Sequence, residues 1–328
     1  MADVNFSTAD VGGLVKTVFD RMALNALRPE LYFVDCARYE PSMLAMPGNV
    51  HTFTFYPDMA AATTALNEVT DPDVVAVTPT TKTVTLLEYG NAARSTRKFR
   101  GTAFVPAPDR DIAELIGWNA GLSQDTLART VMAGGTNVTY CGTATSQTTI
   151  GTGDTMTGAK VRYVVAKLRG ANAKGFGAMG VAGNNYAAFI HPDVSVDLRQ
   201  ETGGGGWSDP VNMTENGVTR RWEGLIGKYE GCGFIETPRA PVVTNASNDA
   251  GSTGNIDAYQ TLFVARDAVA FSSGADNGKL PEFVEGPQID RLRRHHTFGW
   301  YWLGGFCILR EEALYRVEGA SSIGDNAS

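Results

Sequence analysis

Histidine and cysteine are scarce in this chain of 328 residues, four of each. Cys36, Cys141, Cys232 and Cys307 lie far apart and form no CxxC pair, which argues against a zinc knuckle or a dithiol redox motif and leaves four buried thiols as the expectation. The histidines fall in three distant places, His51, His191 and the pair His295 and His296, with no HExxH or comparable spacing. No metal site and no cofactor is therefore expected. Charge is thin as well, at 19% of residues, and a formal net charge of -7 argues against nucleic-acid binding by the chain as a whole, because phosphate affinity needs concentrated Lys and Arg. A local basic patch is still allowed. No apolar run approaches the ~20 residues of a bilayer-spanning helix. The most apolar stretch, FGWYWLGGFCIL from Phe298 to Leu309, is expected as a buried strand. The start, MADVNFSTAD, lacks the basic-then-apolar order of a secretory signal, so export by that route is not expected, and the sequons at Asn137, Asn212 and Asn245 carry little weight.

What is present is a chain that can bury a core. Apolar residues make up 43% of it, and the length suits two compact units or one elaborate domain. Val11, Leu14, Val15, Val18, Phe19 and Met22 recur at helical spacing, predicting a helix from about Thr8 to Leu27 that Pro29 ends, followed by an extended LYFVDCARY. VHTFTFY and TKTVTLLEY predict two strands, and the ~24 residues between them are too many for a hairpin turn of 2 to 5. Two such strands reach ~26 Å, enough for an arm that leaves the domain body.

After PAPDR a long helix is predicted, with Asp109 or Asp111 as its cap, a kink near Gly121 and Gly134-Gly135 as its stop. TNVTYCGTATSQTTIGTGDTMTG reads as an irregular loop. GAKVRYVVAKLRGAN reads as a second helix between a Thr157 cap and a Gly170 stop, its basic residues on a solvated face. NNYAAFI is a strand, and PDVSVDLRQE a short helix with Pro192 at its first position. RRWEGLIGKYEGCGFIETPRAPVV and YQTLFVARDAVAF are β-rich. RRHHTFGWYWLGGFCIL and ALYRVEG are expected to pair as the last two strands.

Formal motifs do not carry chemistry here. GFGAMG, Gly175 to Gly180, satisfies GxGxxG, but a dinucleotide fingerprint follows a strand and opens a helix, whereas this one follows a helix and precedes a strand. Gly203 to Gly206 lacks the Lys-Ser/Thr of a phosphate loop. His191 and Asp193 sit at a helix start, where capping is the common role, and no GxSxG elbow exists. RLRRHH, Arg291 to His296, next to a buried strand, reads more readily as ion pairs to an acidic partner than as a nucleic-acid contact.

Taken in order, these pieces resemble the major capsid protein of tailed bacteriophages with the Hong Kong 97 fold. The likeness runs through the arm helix, PGNVHTFTFY to KTVTLLEYG as an E-loop, DIAELIGWNAGLSQDTLART as a spine helix, YAAFIHPDVSVDLRQ as the entry to the axial domain, EGLIGKYEGCGFIETPRAP, TLFVARDAVAF, and FGWYWLGGFCILREEALYRVE. It implies an α+β fold with an N-terminal arm (1–47), an E-loop (48–107), a P-domain with the spine helix (108–185), an A-domain (186–290), and P-domain closing strands with a tail (291–328). It also implies no enzyme activity, and pentamers and hexamers in an icosahedral virion head, assembled in the host cytoplasm around double-stranded DNA held without sequence specificity. Scaffolding, portal and decoration proteins are further partners, scaffolding being separate or absent; no membrane is involved. Some relatives crosslink through a Lys and an Asn; Lys82 is near the E-loop, but no partner can be matched. The acidic set Glu68, Asp71 and Asp73 at the E-loop tip, and the basic sets Arg94, Arg97, Lys98, Arg100 and Arg291, Arg293, Arg294, are the candidates for contacts between subunits. An encapsulin-type compartment shell, or a cytoplasmic hydrolase or nucleotide-binding enzyme built around residues 175–207, are the alternatives.

Overall fold

The computed structural model describes residues 31–40, 48–56, 59–63, 65, 68, 74–102, 108–177, 185–201, 225–248, 255–274, 279–285, 292 and 294–323. The helix expected over Thr8 to Leu27, the glycines 203–206 and the last three residues of GFGAMG lie outside them.

Two sheets and one hairpin organise the chain. The five-stranded sheet is built on β13 (His295–Ile308), the long apolar stretch anticipated as a buried strand. β4 (Leu87–Thr96) runs antiparallel along one side of it, from Gly304 opposite Leu87 to His295 opposite Thr96. β11 (Val269–Ser273) and β12 (Glu282–Glu285) share the other side, and the short β1 (Arg38–Glu40) lies parallel to β11. α2 (Pro108–Ala133) packs Ile116 and Ala120 against Trp300, Trp302 and Phe271. Alternation along β13 explains this: Phe298, Trp300, Trp302 and Phe306 join the α2 side, while Leu303 and Cys307 meet the hairpin on the other.

The seven-stranded sheet runs β5 (Val138–Tyr140), β14 (Leu314–Gly319), β10 (Asn255–Val264), β6 (Tyr186–Ile190), β8 (Cys232–Glu236) and β7 (Leu225–Tyr229), with β9 (Val242–Asn248) also on β10. YAAFI is buried at every position, as a central strand covered on both faces must be. α3 (Gly158–Gly170) covers it with Val161, Val164, Val165 and Leu168, and α4 (Pro192–Gln200) with Val194 and Leu198.

Several local expectations are corrected. α2 begins on Pro108, whose missing N–H costs nothing there, so Asp109 and Asp111 fall inside the first turn rather than at the cap. The helix is unbroken through Gly121. α3 starts after Thr157, but that side chain makes no capping bond; Glu201 accepts from the Gly158 N–H instead. α3 ends at Gly170, as expected, and Asn172 two residues further on takes the left-handed region (φ 52°). The Thr/Gly-rich segment is ordered around the buried Asp154, which accepts from the N–H groups of Thr143 and Gly151, each at 2.9 Å, and β5 inside it pairs with β14. TKTVTLLEY is two strands, broken at the buried Leu86, whose N–H turns to the carbonyl of Asn49 at 2.8 Å. Finally, β13 and β14 do not pair with each other. β14 joins β10, with Leu314 opposite Val264 and Gly319 opposite Tyr259, so the chain changes sheets between its last two strands.

Candidate subunit-interface site

β4 and β13 bring together two basic sets that are far apart in sequence. Their register places Arg94 opposite Thr297, and the Arg97 N–H donates to the carbonyl of Arg294 at 2.7 Å, seaming the start of α1 (Arg97–Thr102) to the start of β13. Arg94, Arg97, Lys98 and Arg294 are exposed and Arg100 is half-buried, so one end of the five-stranded sheet carries a basic patch. Arg291 and Arg293 lie outside the described residues, as do Asp71 and Asp73. Glu68 is described and exposed, and no described acid of the arm tip meets the basic patch within one chain. The His296 ring pairs with Glu285, tying β13 to β12 inside the chain.

The arm is β2 (Val50–Phe55) paired antiparallel with β3 (Thr80–Thr85), Val50 opposite Thr85 and Phe55 opposite Thr80. Its root is fixed. Val84 and Leu86 are buried with Phe53, Leu303 and Cys307, and His51 Nδ1 lies 3.0 Å from Ser272 Oγ. β3 crosses β13 at Gly305, where a Cβ would stand 2.3 Å from the Thr85 carbonyl oxygen. Only glycine admits that approach. Further out the arm is apolar and uncovered: Tyr56 is 73% exposed, Val74 98% and Val75 62%. This apolar tip went unremarked in the sequence, although VVAV within DPDVVAVTP is the signal for it.

The corner at His191 is structural. His191 caps α4, its Nδ1 accepting from the Asp193 N–H at 3.3 Å, and Tyr259 donates its hydroxyl to Asp193 Oδ2 at 2.9 Å. Burial lowers the His191 pKa, against the pull of Asp193 and Glu236. Gly175 to Gly177, the described part of GFGAMG, lie beside the entry to β6, with the Phe176 N–H on the Asn185 carbonyl at 2.8 Å. Among the described residues no three His, Cys, Asp or Glu cluster as metal donors, and no described helix is long and apolar enough to cross a membrane. Burial pushes the Cys141 and Cys232 thiols up to about 12; Cys307, expected to be fully buried, is only half so, because it lies at the arm root.

A self-rooted arm with an apolar tip is set on two sheets, an architecture with exposed surface suited to contacts with another chain. The profile of a phage capsid protein family matches residues 36–315. Among solved structures, the chain is similar to the capsid of Ralstonia phage GP4 with a TM-score of 0.75 at 14% identity, covering 98% of each chain. It is similar to the acidic stable capsid of Helicobacter pylori bacteriophage KHP30 at 0.69 and 14%, covering 98% of this chain and 99% of that one. For the cyanophage Pam1 capsid the values are 0.68 and 13%, covering 99% and 100%. A search of curated proteins by sequence found no match. The chain belongs to the phage capsid protein family, with the Hong Kong 97-like α+β fold of a tailed-phage major capsid protein.

Proposed function

We propose that this capsid chain assembles as pentamers and hexamers into an icosahedral head around double-stranded DNA, with the arm of each subunit laid on its neighbour. The observation that carries the reading is the arm itself: a root locked by Gly305, Val84 and Leu86, and a tip whose Tyr56, Val74 and Val75 face solvent in a single chain. Exposed apolar surface of this kind marks an interaction site. A head-to-tail contact between copies generates rings when its rotation closes. The basic patch of Arg94, Arg97, Lys98, Arg100 and Arg294, continued in sequence by Arg291 and Arg293, then faces the neighbour's Glu68, Asp71 and Asp73. Because exposed pairs contribute only ~0–1 kcal/mol each, burial of the apolar tip supplies most of the association.

In this reading residues 48–107, which hold β2 and β3, are the E-loop, 108–185 with α2 as the spine helix belong to the P-domain, 186–290 form the A-domain, and 291–328 close the P-domain. The chain acts as a structural protein without catalysis, assembled in the host cytoplasm and resident in the virion, with scaffolding, portal and decoration proteins as further partners. The test is removal of residues 57–80, followed by size-exclusion chromatography and negative-stain imaging under assembly conditions. Folded subunits that form no shells, or fragile ones, are the expected result; normal particles from the deleted chain would overturn the reading.

A further inference from the structure

α3 carries four cations, Lys160, Arg162, Lys167 and Arg169, and no acid. Helix stability does not account for all of them. Lys167 and Arg169 sit in the last turn, where the macrodipole favours positive charge, but Lys160 sits in the first, where it is disfavoured. Glu201 supplies the anion that this end does favour, accepting from the Gly158 N–H. Ion pairing does not account for them either: among the described residues Arg162 alone of the four meets a carboxylate, Glu230 at 3.6 Å. Tyr163 stands 48% exposed beside the two lysines, with Lys160 Nζ 5.7 Å and Lys167 Nζ 5.4 Å from its ring centroid, inside the range of a cation–π contact. Ala159, Ala166 and Gly170 come four residues before, three after and seven after Tyr163, so they share its face of the helix. All three are exposed, and the face around the ring is flat.

We propose that this face of α3 binds the phosphodiester backbone of double-stranded DNA, with Lys160 and Lys167 on phosphates and Tyr163 between them. The proposal rests on the reading of the chain as a shell around DNA, and it names the surface that meets the contents. Seven residues put the two lysines ~10 Å apart along the helix axis, while one strand of a duplex presents a phosphate every ~3.4 Å, so both ammoniums reach phosphates whatever the register. The tyrosine hydroxyl is a further donor to phosphate oxygen. Ala159, Ala166 and Gly170 offer no group that reads a base edge, so the contact carries no sequence preference. An acidic segment of a second copy is the other occupant that this charge would suit. Discrete carboxylates, however, are best gripped by the two-pronged guanidinium, whereas the cations beside Tyr163 are lysines, point charges suited to a phosphate backbone.

The test titrates unassembled subunits of the full chain into two fluorescein-labelled duplexes of unrelated sequence, from about 50 to about 200 mM salt, with anisotropy as the readout. Binding should be equal for the two duplexes and fall as salt rises. Lys160→Gln with Lys167→Gln should weaken it about tenfold at the lowest salt and reduce the slope of log K against log salt by about 2, one for each lost phosphate contact. A merely structural role would not move that slope, and the thermal melt of the variant should match the parent. The charge-matched control Lys82→Gln with Lys279→Gln, at two exposed lysines outside α3, should leave DNA affinity unchanged. Unchanged binding in the α3 variant, an equal loss in the control, or no binding by a chain that still forms shells would overturn the proposal and leave the capsid reading standing. Lysines required for association between copies, and not for DNA, would make the face a subunit interface and overturn it too. Absence of shells from the unaltered chain would overturn the capsid reading and this proposal with it.

Discussion

The Asp125 carboxylate on α2 and the Arg239 guanidinium, in the connection from β8 to β9, are paired at 3.2 Å with the carboxylate wholly withdrawn from solvent. Three segments meet there. The N–H groups of Phe33 and Val34 donate to Asp125 Oδ1 at 2.8 and 3.4 Å, Arg239 also reaches Thr126 Oγ1 at 2.9 Å, and Arg129 donates to the Arg239 carbonyl at 2.9 Å. The pair therefore locks α2 to the start of the described chain and to the other sheet. Burial pushes the Asp125 carboxyl above its ordinary value, against Arg239 and the two N–H groups that pull it down.

Removing one partner leaves the other buried and uncompensated, so Asp125→Ala should lower stability by about 3–5 kcal/mol. Asp125→Asn, which keeps an acceptor for Phe33, should cost less. Denaturant unfolding of the purified subunit measures both. A loss for Asp125→Ala below ~1 kcal/mol would place the pair in the solvent-screened class instead.

His191 predicts a pH dependence whose sign follows from its lowered pKa. The fold holds the neutral ring, whose Nδ1 must accept from the Asp193 N–H. Its contribution is therefore present above the unfolded value of about 6.5 and is lost as pH falls through the lower folded value. His191→Asn keeps a capping acceptor and should flatten that part of the stability–pH curve, while His191→Ala should also lose about 1 kcal/mol at pH 8. Thermal melts from pH 8 to 5 provide the comparison; an unchanged curve in the Asn variant would remove His191 as its source.

Much of this was legible locally. The succession of helices and strands, the long α2, the Pro192 corner and the buried β13 follow from periodicity and from Pro and Gly placement. What was not legible depends on pairing across long separations. Nothing in ALYRVEG says that it will leave its neighbour β13 for β10, because both partners are equally β-prone and the choice rests on two cores. The seam between Arg97 and Arg294 exists only through the β4–β13 register, so two basic sets read as separate became one patch. Gly305 carries no local signal within FGWYWLGGFCIL; the close approach of Thr85 gives it a purpose.

That approach sets a further expectation. In Gly305→Ala the new methyl would meet the Thr85 carbonyl oxygen at 2.3 Å and Val84 Cγ1 at 2.9 Å, and backbone cannot step aside as a side-chain end can. The arm root should lift off β13 at a cost of about 1–3 kcal/mol, the range for overpacking. Limited proteolysis should show faster cleavage near residues 57–80 with the sheets intact, and shell yield should drop. Wild-type cleavage rates would mean that the hairpin adjusts freely.

Thiol chemistry gives an independent check on the cores. Cys36, Cys141 and Cys232 are buried, with burial pushing their thiols up, Cys141 and Cys232 to about 12. Cys307 is half-buried and pushed up to about 11, with the Lys82 ammonium pulling the other way. Since the thiolate is the reactive form, a disulfide reagent at pH 8 should label Cys307 slowly and the other three only on unfolding. Prompt labelling of Cys232 would contradict the packing of β8.

The basic patch makes the most direct demand on assembly. If Arg94, Arg97 and Arg294 face the acidic arm tip of a neighbour, reversing Arg97 and Arg294 to Glu should block shell formation without unfolding the subunit, since both side chains are exposed. Adding Glu68→Lys, Asp71→Lys and Asp73→Lys to the same chain should restore shells, because the pairing would be regained with opposite signs. The contact is solvent-exposed, so added salt should weaken wild-type assembly as the Debye length falls from about 10 Å at 0.1 M toward 3 Å at 1 M. Light scattering of assembling subunits against salt concentration measures this. Each exposed pair is worth little alone, yet repetition over every subunit of a shell multiplies the effect, and the rescue arm separates it from simple loss of solubility. Normal assembly of the reversed chain, or failure of the compensated one, would move the neighbour's arm away from this end of the sheet.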